Sequence, residues 1–297
     1  MVRILTREMD GVHTPSLIPG KAPEPWGGDL LRLAPWREDS RGYLLSRAAA
    51  PDGDIILAGS CSSVLDAAHI LAREGELGEW GSLLAASQWG GRGRAGREWS
   101  SSFGNLHAAF ILPPVPEGWS NLSGLLTGYL LSLSLNYYGY DTALKWPNDI
   151  LFRGLKCGGV LTEEKRGRLL AGVGLNLNAV PETGRISRFK PGSLRDDGAP
   201  LKSPLFTWSF LVKKMKKMYY KLAESGTVSG FLESLSGQMA FSGSRVTLRD
   251  PRAGVVSGYL IGIDKGGALR VSLDGKEERF TNAEIISAAA QLPDKRM

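Results

Sequence analysis

The sequence predicts an α/β (α+β) protein in which a sheet packed by helices is followed by a small all-β unit. Three observations carry this. Between residues 54 and 178, short apolar or alternating runs are interleaved with segments of helical period. Residues 121–138 are apolar almost throughout, the composition of a helix buried on several sides. From Gly243 to about residue 288 the helical period vanishes. SRVTLRD, VSGYLIGID, ALRVSLDG and KEERFTNAEI follow one another across the turns DP, DKGG and DGK, as in a small β-barrel.

Residues 1–50 are rich in Pro and Gly (IPGKAPEPWGG) and read as an irregular extension with one short helix at 27–33. They do not supply the two or three clean amphipathic helices of a helix-turn-helix. DIILAG (54–59) reads as a short buried strand. SSVLDAAHILAREGEL (62–77) places Val64, Leu65, Ala68, Leu71 and Ala72 at helical spacing, with Ser62 or Ser63 positioned to cap and Gly75 to end the helix. GSLLAASQ (81–88) and NLHAAFIL (105–112) read as strands on either side of an Arg/Gly loop. TALKW (142–146) is a strand stopped by PND, and DILFRG (149–154) is a strand turning at Gly154. Residues 155–178 form two strands joined by a charged hairpin at 165–167. Residues 204–226 form an amphipathic helix whose lysines make a solvated face.

The chain has 297 residues, 42% hydrophobic and 22% charged, enough for a sizeable core and more than one domain. A net charge of +6 suits anionic partners of any kind and does not choose among nucleic acid, a membrane surface and small molecules. Two cysteines, Cys61 and Cys157, cannot make a disulfide framework, so a reducing, cytoplasmic setting is expected. The N-terminus lacks the apolar stretch of a secretory signal, and no membrane span is expected.

Four short motifs carry the chemistry: GGRGRAGREW (90–99), KWPND (145–149), KCGGVLTE (156–163) and GVGLNLN (172–178). In the first, glycines permit positive φ and close approach of the backbone, and Arg92, Arg94 and Arg97 offer forks of donors for carboxylate or phosphate. A mobile loop closing over an anion, a solvated basic loop and an RNA-touching Arg/Gly segment all fit those residues. Taken singly, KWPND could be a strand end, KCGG a bulge and GVGLNLN a strand with small residues facing a neighbour. None of His13, His69 and His107 lies in the motifs, and neither cysteine has a plausible histidine partner in sequence. Nucleophilic catalysis and a zinc cluster are therefore not expected.

In this order and spacing, the four motifs resemble those of the biotin protein ligases: a GRGRxGRxW loop, KWPND, K-x-GG and a G-x-G-x-N-x-N strand. SVLDAAHILAREG (63–75) is similar to the family's Ser-Thr-Asn segment, and SGYLIGIDKGGALRVSLDGKEERFTNAEI to its SH3-like C-terminal domain. The resemblance implies a central mixed β-sheet with helices of the biotin/lipoate ligase type over 51–240, forming the biotin- and ATP-binding catalytic domain. An SH3-like barrel would follow over 241–297. Two departures stand out. Val64 and Leu65 replace the polar residues of the Ser-Thr-Asn segment, and no DNA-binding domain of the repressor-type members is seen at the N-terminus.

The resemblance implies an enzyme that joins biotin to ATP as biotinyl-5′-AMP and passes the acyl group to a lysine of a biotin carboxyl carrier protein. Mg²⁺ would be held by phosphate oxygens and water. It assigns Lys156 to contact both biotin and the phosphate and Arg94 to restrain the adenylate. Charge suggests two further catalytic roles: Lys145 would disfavour an ammonium on the incoming lysine by like-charge repulsion, and Asp149 would take its proton. Ser63, Val64, Leu65, Gln88, Arg92, Gly93 and Trp146, with Arg94 and Lys156, would line the biotin site. Arg97, Trp99, Asn148 and Asn176, with Arg94 and Lys156, would face the nucleotide, and Asn178 would hold backbone. The Arg/Gly loop would be open without ligand and closed over the adenylate. A monomer or homodimer binding neither nucleic acid nor membrane is implied. A lipoate-type ligase or acyltransferase of the same fold, a basic nucleic-acid-binding protein and an inactive homologue are the competing readings.

Overall fold

A computed structural model describes residues 1–13, 17–46, 54–181, 189–196 and 202–288. Its strands are β1 (Val2–Leu5), β2 (Val12–His13), β3 (Trp36–Glu38), β4 (Tyr43–Ser46), β5 (Ile55–Cys61), β6 (Ser82–Gln88), β7 (Leu106–Leu112), β8 (Thr142–Lys145), β9 (Asp149–Phe152), β10 (Leu155–Lys165), β11 (Arg168–Leu175), β12 (Arg245–Asp250), β13 (Gly254–Ile263), β14 (Leu269–Leu273), β15 (Lys276–Phe280) and β16 (Glu284–Ala288). The helices are α1 (Trp26–Arg32), α2 (Val64–Arg73), α3 (Ser123–Tyr137), α4 (Pro204–Ser225) and α5 (Val228–Gln238).

β1 to β11 build one mixed sheet in the order β3-β4-β1-β5-β6-β7-β11-β10-β9-β8, with β2 also pairing β5. Among the described strand pairs, β1–β5 and β5–β6 are parallel and the rest antiparallel. β5 is buried on both faces, which explains its unbroken apolar run IILAGSC. Three hairpins use the same device, a non-glycine residue at positive φ followed by Gly: Arg153-Gly154 (51° and 75°), Arg166-Gly167 (55° and 70°) and, between β14 and β15, Asp274-Gly275 (48° and 82°). Positive φ at both central residues is what a type I′ turn needs to match the strands' twist.

One apolar layer forms on each face. α2 covers the first, where Val64, Leu65, Ala68 and Leu71 pack with Leu83, Ala85, Ala109 and Leu170. α1, α3 and α4 cover the second, where Trp26, Leu126, Leu130, Trp208 and Leu211 join Phe110 and Val173. α4 starts at a Ser203 N-cap whose Oγ accepts from Phe206 N–H, with Pro204 in the first turn. Asp29 of α1 accepts from Leu205 N–H at the same helix end, tying α1 to α4. β12 to β16 form a separate antiparallel sheet in the order β15-β14-β13-β12-β16.

One expectation is corrected, that of an irregular extension at the N-terminus. Where described, residues 1–50 add β1, β3 and β4 to the edge of the main sheet because VRIL and YLLS are short apolar strands set between the Pro/Gly-rich turns. α5 escapes the sequence reading because VSGFLESLSGQ is laden with Ser and Gly. Its one local signal is Thr227, whose hydroxyl accepts from Gly230 N–H. Residues 47–53 and 289–297, within the expected extension, catalytic region and C-terminal domain, lie outside the described residues.

Candidate active site

The register of the main sheet brings distant residues into a single row. Ala58 of β5 pairs with Ala85 of β6, which pairs with His107 of β7. His107 stands opposite Gly174 of β11, Gly174 opposite Gly159 of β10, Gly159 opposite Asp149 of β9, and Asp149 opposite Lys145 of β8. Side chains directly opposite one another share a face, so the row runs along the α2 side of the sheet. The two glycines open a trough in its middle. Trp99 lies on this floor: a Cβ on Gly174 would sit 2.7 Å from the indole Nε1, and one on Gly159 3.7 Å from the same ring. Gly172 makes the equivalent space for Leu65, whose Cδ1 would be 2.9 Å from a Cβ there. The glycines of GVG and the second glycine of KCGG thus serve what lies on the sheet, whereas Gly158 is closed in by Leu175 and Gly174 within the sheet itself.

At one end of the trough three charges meet. Asp149 Oδ2 is 2.9 Å from Lys145 Nζ and Asp149 Oδ1 is 2.5 Å from Lys156 Nζ. Lys145 is 4% exposed and lies 4.6 Å from the centroid of the Phe189 ring, whereas Lys156 keeps partial access to solvent and approaches the Trp99 ring at 5.7 Å. Burial pushes the Asp149 carboxyl up, but Lys156 and then Lys145 outweigh it and hold the pKa below its ordinary value. A carboxylate held ionised by two ammonium groups is a weak base, which tells against the proton-accepting role expected of Asp149, while the three groups together keep a positive balance, the sign expected to disfavour an incoming ammonium.

The Arg/Gly loop is folded down onto the trough, with Trp99 over Gly174 and Gly159. It forms a small hairpin, with Gly93 N–H donating to Arg97 O and Trp99 N–H to Gly91 O. Gly96 (φ 70°) and Ala95 (φ 58°) make the tip, while Gly90 and Gly91 are needed for close approach to the Ser62 and Trp99 carbonyls. Arg92 reaches Asp66 of α2 at 2.7 Å and Glu163 of β10 at 3.5 Å. Arg94 donates to Thr281 O (3.1 Å) and Asn282 Oδ1 (3.4 Å), and Arg97 makes two bonds to the Glu284 carboxylate (3.2 and 3.3 Å). The loop therefore links the trough to the C-terminal sheet. Burial and then the charge of Arg97 lower the Arg94 pKa, so an anion placed beside Arg94 would relieve both.

β5 and β6 are parallel, and their carboxyl ends open at the start of α2, the usual place for a ligand in such a sheet. Ser63 is the N-cap residue, buried and with no side-chain capping bond. Val64 and Leu65 lie in the apolar layer. Gln88, expected to bind ligand, is already engaged: Oε1 accepts from Val64 N–H and Nε2 donates to Ser101 Oγ, each at 2.8 Å. It fixes the start of α2 against the loop.

Three further expected site residues are placed as follows. Trp146 packs into the layer on the opposite face and donates from Nε1 to Gly267 O, with Arg94 5.6 Å from its ring centroid. It lines a cleft of about 330 Å³ with Arg94, Asn148, Gly124 and Gly267, at the junction with the C-terminal sheet. Asn148 donates from Nδ2 to Val160 O, and Asn176, buried, donates from Nδ2 to Gly192 O while its Oδ1 has no partner. Asn178 stitches backbone at Gly104 and Lys202, as expected. Sequence reasoning passed over His107, Asp66 and Glu163. The alternation of NLHAAFIL pairs His107 with Ala109 on one face but does not say which face meets the trough.

Residues 74–179 match the Biotin/lipoate A/B protein ligase family, and residues 241–286 match the Biotin protein ligase C terminal domain. The chain is 32% identical over 127 residues to a biotin--[acetyl-CoA-carboxylase] ligase of Paracoccus denitrificans, a match covering 37% of this chain and 49% of that protein. It is 29% identical over 240 residues to the bifunctional ligase/repressor BirA of Escherichia coli, covering 75% of this chain and 71% of BirA. The chain thus spans about half the length of the first of these relatives. A biotin protein ligase from Aquifex aeolicus in complex with biotin and ATP superposes with a TM-score of 0.63 at 25% identity, covering 76% of this chain and 95% of that one. Motifs, sheet and C-terminal domain agree, and the chain belongs to the biotin/lipoate A/B protein ligase family, with the C-terminal domain of its biotin protein ligase members.

Proposed function

We propose that the chain is an ATP-dependent biotin protein ligase, which activates biotin as biotinyl-5′-AMP and transfers it to a lysine of a biotin carboxyl carrier protein. The observation that carries this reading is the glycine-floored trough ending in Lys145, Asp149 and Lys156 beneath an arginine loop. It is supported by the Aquifex neighbour bound to biotin and ATP and by the biotin-type C-terminal domain.

In the first step a biotin carboxylate oxygen bonds to the α-phosphorus of ATP as the bond to pyrophosphate breaks. Two anions must meet, so cations fixed in advance lower the barrier. Lys156 is the cation at the trough, and Asp149 holds its amine in place. Arg94, whose burial disfavours an unpaired charge, faces the phosphate, and Arg97 exchanges Glu284 for it. In the second step the carrier's lysine nitrogen attacks the acyl carbon, the amide forms and AMP departs with the phosphate oxygen. Trp99 and the hairpin of the loop exclude water from the mixed anhydride meanwhile. Cys61 and Cys157 are both buried, with thiols pushed up to about 12, which fits direct transfer without a protein thioester.

Asp149, the carboxylate on the trough floor, is already held by two ammonium groups, so the residues present do not offer a cage for a divalent cation. A Mg²⁺ ion would come with the nucleotide, on its phosphate oxygens. Where described, residues 1–46 form strands of the main sheet and one helix, so only the ligase activity is proposed. The setting proposed is cytoplasmic, with a monomer or homodimer; among the described residues no helix is long and apolar enough to cross a membrane. Pyrophosphate release that requires both biotin and Mg·ATP tests the first step. Release without biotin, or none at all, would reject it.

A further inference from the structure

His107 is 1% exposed and stands opposite Gly174 on the trough face of the sheet. Its ring bonds to the backbone of Ala85, the neighbour on its other side, while Nδ1 is buried without any partner. The bond to Ala85 leaves Nε2 as the donor and Nδ1 as a bare acceptor. Burial keeps the imidazole neutral, its pKa pushed down to about 4. Across Gly174 lies a second unmet group, the buried Nε1–H of Trp99. A buried acceptor and a buried donor, both unpaired beside a residue with no side chain, call for a ligand that carries both functions.

Biotin's cyclic urea has that character: N–H donors flank a carbonyl acceptor. The apolar Val64 and Leu65 at the adjoining helix start cannot provide such contacts, and Gln88 is already committed. We propose that His107 is a specificity-determining residue of this chain's biotin site, its Nδ1 accepting a hydrogen bond from a ureido N–H. The assignment rests on the biotin ligase reading above.

With ¹⁵N-labelled histidine, the chain gives three imidazole spectra, from His13, His69 and His107. Adding biotin should move the unprotonated Nδ1 resonance of His107 upfield, as an acceptor gaining a hydrogen bond does. Calorimetric titration provides the second arm. His107→Phe should weaken biotin binding roughly ten- to a hundred-fold while leaving ATP affinity unchanged, and His107→Gln, which keeps an acceptor, should stay within about threefold of the parent. Wild-type protein that binds biotin with no movement of the His107 signal, or folded His107→Phe that binds biotin as tightly as the parent, would overturn the assignment alone. Wild-type protein that does not bind biotin would instead reject the ligase reading itself.

Discussion

Lys156 Nζ lies 2.5 Å from one oxygen of Asp149, and the other oxygen holds the buried Lys145 at 2.9 Å. One carboxylate therefore fixes the position of both the partly exposed cation and the buried one. Asp149→Asn would leave Lys145 buried and unpaired, and a loss of about 3 kcal/mol or more is expected in urea unfolding. Because the folded-state pKa of Asp149 lies below its ordinary 3.8, its stabilising contribution is present above about pH 4 and is lost as pH falls further. The variant should show a flatter acid limb. Equal stability of the two proteins at pH 7 would contradict the argument.

Asp29 has the opposite sign. Burial raises its carboxyl to about 6, partly offset by the bonds from Ser203 and Leu205. Its protonated form is favoured in the fold, so its contribution declines as pH rises from about 4 to 6 and stays flat above. Asp29→Asn keeps an oxygen for Leu205 N–H and removes the charge. The variant should be more stable than the parent above pH 6, by roughly 3 kcal/mol at most, and the two should converge near pH 4. Denaturation midpoints against pH measure this directly, and parallel curves would refute it.

Gly174→Ala places a methyl group in the Trp99 ring. Overpacking of about 1–3 kcal/mol must be relieved by moving either the indole or the strand, and the indole, on a loop, is the softer of the two. Biotin-dependent pyrophosphate release should drop at least about tenfold with only a modest change in melting temperature. Gly154→Ala, at a hairpin turn remote from Trp99, should change stability and spare the rate. Parental activity in Gly174→Ala would show that the floor need not stay bare.

The pair Arg97–Glu284 is exposed, so Glu284→Gln should alter stability by less than about 1 kcal/mol. If Glu284 holds the arginine that the nucleotide requires, the same change should tighten ATP binding a few-fold, and Arg97→Ala should weaken it. Titration calorimetry with ATP gives both numbers, and weaker binding by Glu284→Gln would reverse the assignment.

What could be read from the sequence was local. KWPND, KCGG and the arginine loop each lie within a strand end or a turn, so their spacing exposed their chemistry. The hairpins at Gly154 and Gly167 were legible for the same reason. Cross-strand register was not: nothing local says that residues 107, 145, 149, 159 and 174 form one row. Lys145 and Trp146 show the limit most clearly. Neighbours at a strand end face opposite ways; Lys145 was expected beside the incoming lysine and Trp146 in the wall of the biotin pocket, whereas Trp146 turns to Gly267 beside the C-terminal sheet. The strands of residues 1–46 were hidden because Pro- and Gly-rich turns dominate their composition, and because VRIL and YLLS are short strands paired with each other beside β5.

The cation at the trough is the centre of this account, and mass measurement of a biotin carrier domain tests it most directly. Incubated with biotin and Mg·ATP, the parent enzyme should add one biotinyl group to the carrier, and Lys156→Ala should do so slower by on the order of 10²–10³-fold. Parental labelling by Lys156→Ala, or a carrier left unmodified by the parent, would contradict it.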